Sequence, residues 1–236
     1  GEAMRGNLHL IALELWARVV FKHAPFAKVA AERQVYVGGE HHKDSNRNGR
    51  VVVGFLSSFL DGHSVAFWIH GNIVALPRDA VEVVMLELPR YRSPQHRSAS
   101  NVVYKRLRQR ADRWVRLMWP LSEADENMAS SNLPEGLVGG LSRVRTQIAN
   151  ERLDVLFFPE VGLCPLTYQV ASWRVAPFQV AGFGHALSTG LPTVDYFLSY
   201  TLFEGRHSEA QQRYSETLAL LPDVPQLFPR RPDVVA

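Results

Sequence analysis

Three features of the sequence predict an α/β protein built on a Rossmann-like parallel sheet with helices on both faces. From Arg50 onward, short apolar runs rich in Val, Leu and Phe alternate with segments whose apolar residues recur every three or four positions. The runs are apolar throughout, as strands covered on both faces require. Of the 236 residues, 46% are hydrophobic and 21% charged, enough for a sizeable core. That composition excludes a disordered, collagen-like or coiled-coil chain.

The elements follow in order. Residues 7–34 read as helix, with Leu8, Ile11, Leu15 and Val19 on one face and a kink expected at Pro25. The stretch 38–49 is polar and bounded by glycines, which predicts a linker loop; His41 and His42 within it read as solvated. Val51–Ser57 is the first strand, followed by a helix over 63–76 and a strand over 81–88. A helix over 101–113, a strand over 114–119 and, after a polar loop, a helix over 137–151 come next. A strand over 154–158, a helix over 166–173 and a strand over 178–183 continue the alternation. Residues 194–200 and Thr217–Leu221 are further strand candidates. Pro222, Pro225, Pro229 and Pro232 make the tail an extended exit segment. The expected organisation is a helical segment over 1–37, a linker over 38–49, a Rossmann-like unit over 50–222 and a Pro-rich exit over 223–236.

Composition also bounds function. There are 26 basic and 23 acidic residues, a net charge of +3 too small to imply nucleic acid. The single cysteine, Cys164, excludes an intrachain disulfide and a multi-cysteine zinc site. No apolar run reaches the roughly 18 residues that span a bilayer, and no signal sequence opens the chain. The expectation is a cytoplasmic protein with no membrane or nucleic-acid partner. Nucleotide-loop, dinucleotide, zinc-protease and serine-hydrolase signatures are absent, as is a Tyr-x-x-x-Lys pair of the epimerase type. Residues 90–116 hold nine Lys or Arg against one acid, Asp112, which reads as the solvated face of an amphipathic helix or, alternatively, a dock for a phosphate-rich partner.

Open α/β sheets bind ligands at the carboxyl ends of their strands, so the loops beginning at Ser57, Pro159 and Gly184 are expected to share one functional rim. Two constellations on that rim carry information. In Ser57-Ser58-Phe59-Leu60-Asp61-Gly62-His63, a buried strand leads to a histidine at the start of a helix. There the imidazole either accepts a proton or hydrogen bond across a cleft, or simply caps the helix. In the second, Arg174-Val175-Ala176-Pro177-Phe178-Gln179 opens a strand ending in Gly182-Phe183-Gly184-His185, followed by Ser188-Thr189-Gly190 and Asp195-Tyr196. The glycines permit close backbone approach, and His185, Ser188 and Thr189 offer polar groups. Glu160 is the one acid expected on the rim after the fourth strand.

These segments, with Leu153–Leu163, Ser215-Glu216-Thr217-Leu218 and Leu221-Pro222, resemble the O-linked N-acetylglucosaminyltransferase family. They are most similar to its bacterial branch, the cytoplasmic N-glucosyltransferases that modify adhesins. Two departures stand out: Ser64 follows His63 where the family often has proline, and Ala186-Leu187 follow His185 in place of proline-alanine. The resemblance implies the N-terminal, acceptor-side half of a two-lobed GT-B fold. It further implies metal-independent, inverting transfer of glucose or N-acetylglucosamine from a uridine diphosphate sugar to Asn, Ser or Thr of a protein or peptide acceptor. UDP-glucose or UDP-N-acetylglucosamine would be the donor substrate, held mainly by a C-terminal half, and no cofactor is implied. His63 would be the catalytic residue, while Gly184, His185, Ser188, Thr189 and Glu160 would bind substrate. The expectation for this chain alone is an inactive module. The alternative is a non-catalytic binding domain, or a degenerate half that pairs with a separate nucleotide-sugar-binding chain.

Overall fold

The apolar runs at 51–57, 81–87, 155–158, 178–182, 196–200 and 217–221 are strands, because burial on both faces favours side chains that pack across a pleated surface. The computed structural model describes residues 50–60, 63–88, 102–118 and 135–221, with side chains from 140 in the last span. The helix expected over 7–34, the linker and the Pro-rich exit lie outside the described residues.

In chain order the elements are β1 (Val51–Ser57), α1 (Ser64–Val74), β2 (Val81–Glu87), α2 (Val102–Arg110), β3 (Arg113–Arg116), α3 (Glu135–Asn150), β4 (Val155–Phe158), α4 (Pro165–Ala171), β5 (Phe178–Gly182) and β6 (Tyr196–Tyr200). Two single turns, α5 (Thr201–Glu204) and α6 (His207–Ala210), precede β7 (Thr217–Leu221). Both late strand candidates are therefore strands. The third strand is shorter and earlier than the 114–119 expected, pairing Val84–Glu87 with Arg113–Arg116; Leu117 adds a single bond to Glu87 O before the chain leaves the sheet.

All seven strands are parallel and lie in the order β3-β2-β1-β4-β5-β6-β7. The order reverses between β1 and β4, the topological switch point where such sheets leave a crevice at the carboxyl ends of their strands. Two apolar cores cover the two faces. Val53, Phe55, Val83, Met85, Val155 and Phe157 point towards α1 and α2, packing on Ile69, Ile73, Val103 and Leu107. Their neighbours Val52, Leu56, Val84, Leu86, Leu156 and Phe158 point the other way, onto Val144, Ile148, Val170 and Ala171. This period of two explains why the strands read as continuous apolar runs: each alternate residue meets a different layer of helix.

At the amino ends of the strands, one carboxylate after another closes the edge. Asp112, Asp154 and Asp195 each immediately precede a strand, and each accepts an N–H from the neighbouring one: Val83 N at 2.8 Å, Val52 N at 2.8 Å and Gln179 N at 2.8 Å. Asp195 also holds both guanidinium nitrogens of Arg174. Gln179 is wholly buried; its side chain accepts from Val175 N and donates to Thr193 O. The residues that carry much of the family resemblance, Arg174, Gln179 and Asp195, thus brace the amino edge of the sheet.

A candidate site at the carboxyl edge of β1, β4 and β5

The loops after β1, β4 and β5 meet at the switch point, because their strands are adjacent and parallel. Each contact between them follows from small or polar residues. Ser58 N donates to Glu160 Oε1 at 3.3 Å, and Ser58 Oγ lies 3.3 Å from Cys164 Sγ. Gly184 N donates to Pro159 O at 2.9 Å. A Cβ on Gly184 would fall 2.4 Å from that carbonyl, so only glycine permits this approach. Gly162, at φ +105°, adopts a conformation that other residues rarely take, and the His185 ring lies where its Cβ would project, 2.6 Å away. His185 therefore sits over the loop that leaves β4.

His63 stands on the same edge, at the N-cap of α1. Its Nδ1 accepts the Val65 N–H at 3.2 Å, and its ring stacks on Phe59 with centroids 4.3 Å apart. A ring nitrogen that accepts a hydrogen bond has its lone pair committed, so the neutral imidazole carries its proton on Nε2. Capping fixes the ring as an Nε2–H donor. One turn further along α1, Trp68 places its ring against Gly182, the last residue of β5, and edge-on to Tyr200, the last of β6. Its Nε1 is buried with no hydrogen-bond partner among the described residues. Sequence reasoning passed over Trp68 because its spacing on α1 is that of a core residue.

Glu160 is on this edge but faces inward. It is fully buried, and its Oε1 also accepts from Thr167 Oγ1 at 3.3 Å. Oε2 has no partner among the described residues. Burial pushes its pKa up to about 7, against the opposing hydrogen bonds from Ser57, Ser58 and Thr167. The side chain ties the β1 loop to α4.

Ser188 and Thr189 are placed elsewhere, and the expectation that they join His185 is corrected. After Gly184 and His185 the chain crosses back to the amino edge to begin β6. There Thr189 N donates to Glu216 Oε1 at 2.7 Å, Thr189 Oγ1 donates to the same oxygen, and Ser188 Oγ donates to Glu216 Oε2 at 2.8 Å. Glu216 immediately precedes Thr217, the first residue of β7, so this cluster belongs to the opposite edge from His63. The Ser-Glu-Thr segment flagged by resemblance supplies the anchoring carboxylate. Burial opposes its charge, but donation from Thr189 and Ser188 outweighs that and holds its pKa below the ordinary glutamate value.

The described rim is accordingly His63, Ser58, Gly162, Gly184 and His185, beside the amino end of α1, whose dipole favours negative charge. No group of three or more His, Cys, Asp or Glu residues arranged to hold a metal ion occurs among the described residues. No described helix is long and apolar enough to cross a membrane.

No family model matches the sequence, and no curated protein matches it. Among solved structures, the chain is similar to a mutant O-GlcNAc transferase from Thermobaculum terrenum, with a TM-score of 0.53 and 22% identity over 90% of this chain. The match covers 33% of that protein, so this chain spans about a third of its length. The protein has the Rossmann-like α/β fold found in that glycosyltransferase.

Proposed function

We propose that the carboxyl edge of β1, β4 and β5 is the acceptor side of a glycosyl-transfer site, completed by a second lobe that binds a uridine diphosphate sugar. The observation that carries this reading is the position of His63 and His185 on the same edge, at the switch point of a sheet whose fold is shared with an O-GlcNAc transferase. The reaction is an inverting, metal-independent transfer of glucose or N-acetylglucosamine to Asn, Ser or Thr of a protein acceptor. Such a displacement requires the acceptor to be held in line with the anomeric carbon, and the departing diphosphate to be neutralised by the second lobe.

The capped state of His63 defines its part. With the proton on Nε2, the ring donates a hydrogen bond to the acceptor or to the sugar and thereby orients it. Acting as base towards a hydroxyl would require the other tautomer, whose Nδ1–H opposes the Val65 N–H, so removing that proton costs the helix its cap. Orientation of an asparagine amide, which imidazole is too weak to deprotonate, makes no such demand.

A second reading is a non-catalytic half that binds an acceptor and pairs with a separate nucleotide-sugar-binding chain. It is favoured by the inward turn of Glu160, which leaves the described rim without a solvent-facing carboxylate for acid–base work. One experiment separates the two. The chain is expressed together with its downstream coding region, and transfer of labelled glucose and N-acetylglucosamine from their UDP forms to acceptor peptides is measured. Transfer that falls by about a hundredfold in His63→Ala, with the fold retained, supports the catalytic reading. Unchanged transfer in that variant removes His63 from the mechanism, and no transfer from either donor overturns the reading itself.

A further inference from the structure

A cavity of about 470 Å³ opens between the carboxyl-terminal halves of α1 and α2, at the amino edge of the sheet and at the other end of α1 from His63. Its polar lining is cationic. Arg78 leads into β2, Arg106 and Arg110 come from α2, and His70 comes from α1; no carboxylate of the described residues lines it. Gly71 and Val74 of α1 supply an apolar wall. The cavity falls within the several-hundred-Å³ range of small-molecule sites, which pair an apolar wall with a few convergent polar groups.

Arg110 and His70 are buried and held in place, whereas Arg78 and Arg106 are exposed at the mouth. Arg110 is only 2% exposed. Its terminal nitrogens donate to Leu76 O at 3.1 Å, Val81 O at 3.3 Å and Asp112 Oδ2 at 3.1 Å, yet its Nε is buried with no partner among the described residues. Arg78 Nη2 donates to Gln109 O at 2.8 Å, which fixes that guanidinium against α2. His70, also 2% exposed, directs Nδ1 at Phe67 O, 2.8 Å away, so Nδ1 is the donor and Nε2 the nitrogen left for a ligand. Burial lowers the His70 pKa, the bond to Phe67 opposes this, and the charge of Arg106 lowers it further. Asp112 offsets Arg110, but no carboxylate of the described residues pairs with Arg78 or Arg106, so the cavity carries an excess of guanidinium charge.

We propose that this cavity binds a small organic phosphate. Its anionic group would sit between the Arg78 and Arg106 guanidinium groups, with Arg110 behind them, and its carbon skeleton would lie on the Gly71–Val74 wall. Phosphate matches the planar, multi-donor guanidinium groups, and the cavity volume exceeds that of a phosphate group alone.

Calorimetric titration of the 236-residue chain with inorganic phosphate and with phenyl phosphate tests this. The expected result is saturable single-site binding of phenyl phosphate, at least about tenfold tighter than inorganic phosphate, because only the former uses the apolar wall. Arg106→Glu, at an exposed position, should weaken phenyl phosphate binding about tenfold or more. Lys105→Glu makes the same charge change on α2 outside the cavity and should leave the affinity within about twofold. On binding, the His70 imidazole resonances should move towards their protonated values, since an anion offsets Arg106. The proposal is overturned if phenyl phosphate shows no saturable binding, if inorganic phosphate binds as tightly, or if the two variants weaken binding equally, which would mean that α2 attracts anions by net charge alone.

Discussion

The two edges of the sheet use buried carboxylates in opposite ways. At the amino edge, Glu216 collects donors from Thr189 N, Thr189 Oγ1 and Ser188 Oγ, and these hold it charged despite its burial. At the carboxyl edge, Glu160 receives longer bonds, keeps one oxygen without a partner among the described residues and is pushed by burial up to about 7. Deeper desolvation and longer bonds, not a smaller number of donors, separate Glu160 from Glu216. The amino edge is stitched by Asp112, Asp154, Asp195 and Glu216 for stability. The carboxyl edge leaves Glu160 Oε2 and Trp68 Nε1 without partners among the described residues, at the side of the sheet where folds of this topology bind ligands.

The largest test of that contrast is Glu216→Ala. Three buried or half-buried donors lose their acceptor, at about 1–3 kcal/mol each, so urea denaturation should show a loss of about 4 kcal/mol at pH 7. A loss below about 1 kcal/mol would break the comparison at its strongest point.

Glu160→Gln should act with the opposite sign at high pH. The folded carboxyl titrates at about 7 and the unfolded one near its ordinary value of 4.5, so the folded state holds the extra proton between those limits. Wild-type stability therefore declines as pH rises through that window, by about 3 kcal/mol from this group, and levels off above it. The amide cannot ionise, so the stability difference between variant and wild type should shift in favour of the variant by that amount between pH 4 and pH 8. A difference that stays constant with pH would show that Glu160 is ionised in the folded state.

Gly184→Ala sharpens the carboxyl-edge side of the contrast. Its Cβ meets the Pro159 carbonyl, a backbone atom that cannot step aside cheaply, and the expected cost is about 2 kcal/mol in thermal or chemical denaturation. The His185 ring, resting on Gly162, should shift with the displaced loop, visible in its NMR resonances.

The smallest effect is expected at His63. Removing the cap of α1 in His63→Ala should cost about 1 kcal/mol, whereas His63→Asn, which retains a capping oxygen, should cost only a few tenths. Comparing the two in the transfer assay separates loss of the cap from loss of the Nε2–H.

Much of the fold was legible because strands buried on both faces have a one-dimensional signature. The runs expected at 51–57, 81–88, 154–158 and 178–183 announce themselves, whereas the role of Asp112, Asp154 and Asp195 just ahead of strands was not read from the sequence. The edge on which His63 and His185 lie was legible for the same reason: each follows the carboxyl end of a parallel strand, and direction alone assigns the edge. The site was legible only in part. Three residues separate Gly184 from Ser188, enough for the chain to leave one edge and reach the other, and nothing in the sequence says that Glu216 draws Ser188 and Thr189 away. The inward turn of Glu160 was equally hidden, since it depends on Ser58, 102 positions earlier.

The sequence by itself determined the layers, the strand directions and the carboxyl-edge placement of the two histidines, because periodicity and chain direction are local properties. Only the tertiary structure decided which carboxylate is charged, which loop residues share an edge, and that His70, Arg78, Arg106 and Arg110 enclose one cavity. Those outcomes depend on distances between residues remote in the chain, where desolvation and hydrogen bonding compete across contacts that no local pattern encodes.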